Sequence, residues 1–189
     1  MKNLFSVALL LLGSNFLNAQ NQTSLEADGN LESPKPCGCV TIVEVSNENN
    51  PADILAGVEK CVESKQFDKA ARLFAIAAVF GRYDTFRVKD KSAHQALKVL
   101  QMRLVGQMNE TDRNALLKSI EKELASGSKE LDAICQSIRQ VGIPKYHPKY
   151  MIQHGIEAFT NTNGNGLVED FNSEESWNKA LKDYLHCGG

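Results

Sequence analysis

Apolar positions recur at helical spacing along most of the chain. Asn50-Pro51 supplies an N-cap followed by proline at the first helical position, a favoured start. Ile54, Leu55, Val58, Cys61 and Val62 then line one face, which predicts a helix over 51–64. After a turn at Ser64-Lys65-Gln66, the residues Phe67, Ala70, Ala71, Phe74, Ala77 and Ala78 form the next apolar face, and Gly81 suits its C-terminal cap. A third helix is expected over about 84–106, carrying Phe86, Val88, Ala93, Ala96, Leu97, Leu100, Leu104 and Val105. Thr111-Asp112 opens a fourth, and Ser128 caps a fifth that Gly142 and Pro144 stop. Pro148 begins a short sixth helix with Met151, Ile152, Ile156 and Phe159 on its apolar side. Ser173 opens the last helix, with Trp177, Ala180, Leu181, Tyr184 and Leu185 inward and Glu174 and Glu175 at the positive end of its dipole.

The chain before residue 51 follows other patterns. Leu4 to Leu12 is apolar, follows Lys2, and leads to a small-residue site at Leu17-Asn18-Ala19. That arrangement reads as a secretory signal peptide over 1–19. The run is shorter than the roughly 20 residues a transmembrane helix needs, and no later segment approaches that length. Residues 20–36 are polar and are expected to form a disordered tail. Cys39 to Val45 is β-prone and short, either an edge strand or an extended segment pinned by its cysteines. The reading is one all-α domain over 37–189, a compact bundle of about six to seven helices with a hairpin at 51–81 and an extended N-terminal segment.

Export changes how the cysteines are read. In an oxidising periplasmic or extracellular setting, Cys37, Cys39, Cys61, Cys135 and Cys187 should form two bridges and leave one thiol. Spacing does not choose the pairs. Cys37-Gly38-Cys39 is a CxC and not the CxxC of redox helices, so it reads as a tether for the N-terminal segment. Formal charge is −2 over the whole chain, with no clustered basic face. Nucleic acid is therefore not an expected partner.

Residues 67–81, FDKAARLFAIAAVFG, place Phe67, Ala70, Phe74, Ala77, Ala78 and Gly81 as alternating aromatic and small residues. This stretch resembles the second helix of a tetratricopeptide-type repeat, and in particular the Sel1-like variant. The resemblance covers about residues 52–81. It implies protein–protein interaction, and that family includes small exported immunity proteins that neutralise antibacterial effectors delivered by type VI secretion.

Candidate chemistry is sparse. The segment from Tyr146 to Gly155 is rich in functional side chains, but HExxH and comparable zinc signatures are absent. No metal or cofactor is expected. Asn161 to Asn172 mimics the oxygen spacing of a calcium loop, yet lacks the acid at its first position and the glutamate at its twelfth. It reads as a surface turn. Large polar and aromatic residues at helix ends (Arg82, Tyr83, Asp84, Arg87, Tyr146, His147, Tyr150 and His154) form the candidate contact surface for a protein partner, an effector or an envelope protein, since Arg and Tyr are enriched at interface hot spots. The alternative is a periplasmic hydrolase centred on His94, His147 or His154, with Ser92 and Asp84 or Asp90 as companions to His94.

Overall fold

The computed structural model describes residues 26–160 and 164–188. The fold is all-α, with two disulfides and no strand among the described residues. The helices are α1 (Pro51–Glu63), α2 (Phe67–Arg87), α3 (Ala96–Gln107), α4 (Glu110–Glu123), α5 (Lys129–Val141), α6 (Lys149–Ile152), α7 (Glu157–Thr160) and α8 (Ser173–Leu185), with 3-10 turns at Ile42–Glu44 and Lys91–Gln95. The predicted β-prone segment is one of those turns: Glu44 reaches back to the Thr41 N–H at 2.8 Å and hydroxyl at 2.6 Å, closing a capping box that a strand would break.

α2 is the hub. It packs against α1, α4 and α8. Every residue from Ala75 to Phe80 is fully buried, so the helix is apolar around its whole circumference there. Alanines at 70, 71, 75, 77 and 78 let neighbours approach its backbone closely. α2 also runs past Gly81, contrary to the sequence expectation of a cap there. Gly81 lies inside the helix, where a Cβ would meet the Leu97 side chain at 2.6 Å. Its smallness serves packing, and the helix ends instead at Val88, whose backbone is extended and bridges to Leu167. The expected helix over 84–106 is accordingly divided. Asp90 caps the Lys91–Gln95 turn by accepting from the Ser92 N–H, and α3 begins only at Ala96.

α1 and α5 start where their caps predict. The Asn50 side chain accepts from the Asp53 N–H, and Ser128 from the Leu131 N–H. α4 is capped by Asn109, one helical residue earlier than the expected opening at Thr111.

Residues 26–36 correct the expectation of disorder; the first part of the expected tail, 20–25, and the leader lie outside the described residues. The strap is held by polar anchors. Asp53, almost fully buried, accepts from the Ser33 hydroxyl at 2.9 Å and the Lys35 N–H at 2.8 Å. The Leu31 N–H donates to the Tyr150 carbonyl, and the Leu31 side chain enters the core. Asn50 Nδ2 donates to the Glu32 carbonyl. A polar segment can be ordered without much apolar burial when buried acceptors recruit its backbone.

The bridges are Cys39–Cys61 and Cys135–Cys187, and Cys37 is the free thiol. Cys39 is thus the tether of the CxC, joining the N-terminal segment to α1. Burial, followed by the nearby Asp53 charge, pushes the Cys37 thiol up to about 11, so it stays protonated. The Cys37–Cys39 loop lies directly on Gly57, where a Cβ would stand 2.6 Å from the Gly38 carbonyl oxygen and 3.1 Å from Cys37 Cβ. Alanine in a helix interior gains about 1 kcal/mol over glycine, but overpacking against backbone costs about 1–3 kcal/mol. The bridge at Cys39 stops the loop from moving away. Gly57→Ala is therefore expected to destabilise by about 1 kcal/mol, whereas Gly106→Ala, with open space around its Cβ, should stabilise by about 0.5–1 kcal/mol. Opposite shifts in thermal midpoint would check both.

Candidate functional site

The residues proposed as a contact surface divide by burial. Tyr83, Asp84, Arg87, Tyr146 and Tyr150 are buried, with Asp84 at 0% exposure. They cannot form an exposed surface. They form a polar cluster beneath the C-terminal half of α2. Asp84 Oδ1 accepts from Arg87 Nε at 2.7 Å, and Oδ2 accepts from the hydroxyls of Tyr146 and Tyr150, each at 2.8 Å. Arg87 Nη2 lies 2.7 Å from Oδ1 as an ion pair, though without hydrogen-bond alignment. The guanidinium is stacked between the rings of Tyr83 and Tyr146, at 5.1 and 4.8 Å from their centroids. Burial lifts the Asp84 carboxyl above its ordinary value, against the pull of Arg87 and the two hydroxyls. Burial, reinforced by the Asp84 charge, also pushes both tyrosines well above theirs. The phenols therefore remain donors.

The other members of the set, exposed at His147 and part-buried at Arg82 and His154, lie apart. Arg82 pairs loosely with Asp183 at 3.5 Å and lies over the Phe86 ring. His147 Nε2 is 3.0 Å from the Asn165 carbonyl and fixes the loop after α7. His154 Nδ1 is 2.9 Å from Asn30 Oδ1 and anchors the strap. His94 Nε2 is 2.9 Å from the Val88 carbonyl. Each histidine of the hydrolase alternative is engaged by its own oxygen acceptor, and no hydrogen bond joins two of them. Ser92 donates to Asp90 at 2.6 Å, so it is not poised toward His94. Among the described residues no three His, Cys, Asp or Glu side chains converge on a metal position.

The structure offers a different site. A polar cleft of about 540 Å³ opens between the 88–90 connection, α6 and the 164–169 loop, with Asp90, His147, Gln153, Glu157 and Glu169 among its walls. Asp90 Oδ1 accepts from the Ser92 N–H and hydroxyl, and Oδ2 from the Glu157 N–H at 2.9 Å. Burial raises its carboxyl, but these hydrogen bonds and the His94 charge more than offset that, holding it below the usual range. No protein-family model, curated protein or solved structure matches the chain.

Beside the cleft, the predicted sixth helix breaks after Ile152. The Ile156 N–H donates to Ser92 Oγ and the Glu157 N–H to Asp90, so side chains take backbone donors that would otherwise continue a helix. Gly155 lies against Asp90, where no Cβ could fit. Met151 remains in the core, but Ile156 and Phe159, expected to be inward, are 67% and 53% exposed. Val168, across the cleft wall, is 41% exposed. Sequence periodicity missed these residues because an apolar i, i+3 pair reads as a core face. The signal against that was Gly155 between two apolar pairs.

Two expectations follow from the buried groups. Asp84→Asn leaves Arg87 buried without its counter-charge and is expected to cost about 3–5 kcal/mol. Tyr146→Phe removes one of three donors and should cost about 1.5–3 kcal/mol. Urea denaturation measures both, and equal losses would contradict the ordering. His154 is held below its ordinary value of 6.5 by burial, then by the Arg103 charge. The folded state therefore binds fewer protons than the unfolded one, so this contribution is present above the unfolded value and is lost as pH falls through the folded one. His154→Gln should flatten the stability curve between about pH 5 and 7, and an unchanged slope would argue against the assignment.

Proposed function

We propose that this is an exported protein whose work is to bind another protein. The observation that carries the reading is the exposure of the large apolar residues Ile156, Phe159 and Val168, each next in sequence to a residue that lines the polar cleft. Apolar side chains grouped beside a polar rim mark interaction surfaces. Two disulfides suit an oxidising compartment, and no described helix is long and apolar enough to cross a membrane. The leader over 1–19 supplies the export route in this proposal. Within the binding class, the Sel1-like likeness of residues 52–81 favours an immunity-type role against a secreted effector, with an envelope protein as the other partner.

Replacing Phe159 with a photo-cross-linking phenylalanine in cells that produce the protein tests this reading. A discrete cross-linked protein is expected from that position and not from an equally exposed control such as Val43 (56%). If the captured chain is an antibacterial effector, the immunity role is supported; an envelope protein selects the other partner. Absence of any adduct at Phe159, Ile156 and Val168, together with hydrolysis of a generic ester or peptidoglycan by the mature chain, would overturn the binding reading in favour of the hydrolase.

A further inference from the structure

We propose that the strap over 26–36 is a latch that opens together with Cys37 while the helices stay folded, hinged at the Cys39–Cys61 bridge, and that its opening turns Cys37 from a guarded into a reactive thiol. The first ground is how little the strap buries. Leu31 is its one buried residue, and Glu32, Pro34, Lys35 and Pro36 are all exposed. The remaining hold is polar. The Leu31 N–H donates to the Tyr150 carbonyl, Asn50 Nδ2 to the Glu32 carbonyl, and Ser33 and Lys35 to Asp53. Lys149 pairs with the exposed Asp28 at 2.7 Å. A segment with one buried apolar side chain and a row of hydrogen bonds that water can replace opens at a lower free energy than the core.

The second ground is that the helices keep their own bonds when the strap leaves. Asp53 Oδ2 accepts from the Asn50 N–H and Asn50 Oδ1 from the Asp53 N–H, so the capping box of α1 survives the loss of Ser33 and Lys35. The Tyr150 hydroxyl stays on Asp84. The third ground is the hinge. Cys61 is fully buried on α1 and holds Cys39, so peeling from the N-terminal side stops there. Cys37 lies two residues short of that point, and the other four cysteines are bridged. In the closed state its N–H donates to the Asp53 carbonyl at 2.9 Å, its Cβ stands over Gly57, and burial with the Asp53 charge holds its thiol up at about 11. Opening lifts Cys37 off α1 and away from Asp53, which returns the thiol toward its ordinary value and raises its thiolate fraction. The thiolate then attacks an external disulfide. Cys37 Sγ bonds to one sulfur, the external S–S bond breaks, the other sulfur leaves as a thiolate, and the Cys37 proton goes to water.

The test follows that exchange with the chromogenic disulfide dithiobis(nitrobenzoate), added to the purified protein at concentrations where the rate is proportional to reagent. Labelling is expected at least about a hundredfold slower than for a blocked cysteine peptide. Below the unfolding transition it should depend only weakly on urea, because the latch exposes little surface. Leu31→Ala should speed labelling at least about tenfold. Leu116→Ala, in the core on α4 and outside the strap, lowers global stability and should leave the rate in water unchanged. Labelling at the rate of the peptide overturns the guarded thiol. A urea slope equal to that of global unfolding, a rate that Leu31→Ala leaves unaltered, or equal acceleration by the two variants overturns the latch. If Leu116→Ala does not fold, the urea slope of the unaltered chain decides alone.

Discussion

A carboxylate with no exposure to water has to be matched where it lies, and Asp84 sets that constraint for this fold. An unpaired buried charge costs several kcal/mol, so its donors have to arrive by folding. One comes from Arg87 on the next turn of α2. The other two are the hydroxyls of Tyr146 and Tyr150, more than 60 residues further on. Bringing them in lays the 142–152 segment across the end of α2. That placement positions other parts of the molecule: the Tyr150 carbonyl receives the strap through Leu31, and His147, between the two tyrosines, holds the Asn165 loop. The walls of the cleft are downstream of one buried charge.

What the sequence made legible follows the range of each interaction. Asn50 and Ser128 announced their helices because a cap bonds backbone only three residues away. The all-α class was legible for the same reason, since helical periodicity is local. Gly81 misled because its meaning depends on Leu97, which reaches it only in the folded state. The polar 26–36 strap has the composition of a disordered tail, and its order comes from Asp53 and Tyr150, neither of which is near it in sequence.

Five of the expected contact-surface residues are buried for a subtler reason. Residue type alone favoured exposure for Asp84, Arg87 and the tyrosines. Position did not: Ile76, Phe80, Asp84 and Arg87 fall at steps of four, four and three, along a single stripe whose first two members are wholly buried. A charge placed on a core stripe predicts a buried, paired charge, and its partners must be sought among hydroxyls and guanidinium groups. Cysteine pairing was open in the same sense. Cys37 and Cys39 are equivalent in spacing, and the choice between them rests on the loop lying over Gly57, which only the packed α1 defines.

The exposed pair of Ile156, just before α7, and Phe159 within it completes this logic. Burying an isoleucine or phenylalanine side chain is worth about 1.5–3 kcal/mol, and a short connection between α6 and α8 could have recovered it by continuing the helix inward. Instead the backbone N–H groups of Ile156 and Glu157 are committed to Ser92 and Asp90, and Gly155 is locked against the Asp90 carboxylate. These bonds satisfy Asp90 with neutral donors and at the same time turn Ile156 and Phe159 outward. The same local geometry thus produces both a hydrogen-bonded carboxylate in the cleft wall and unburied apolar area beside it. A partner seated on Ile156 and Phe159 would recover the burial that this geometry forgoes, which is the physical case for the exposed pair as an interaction surface.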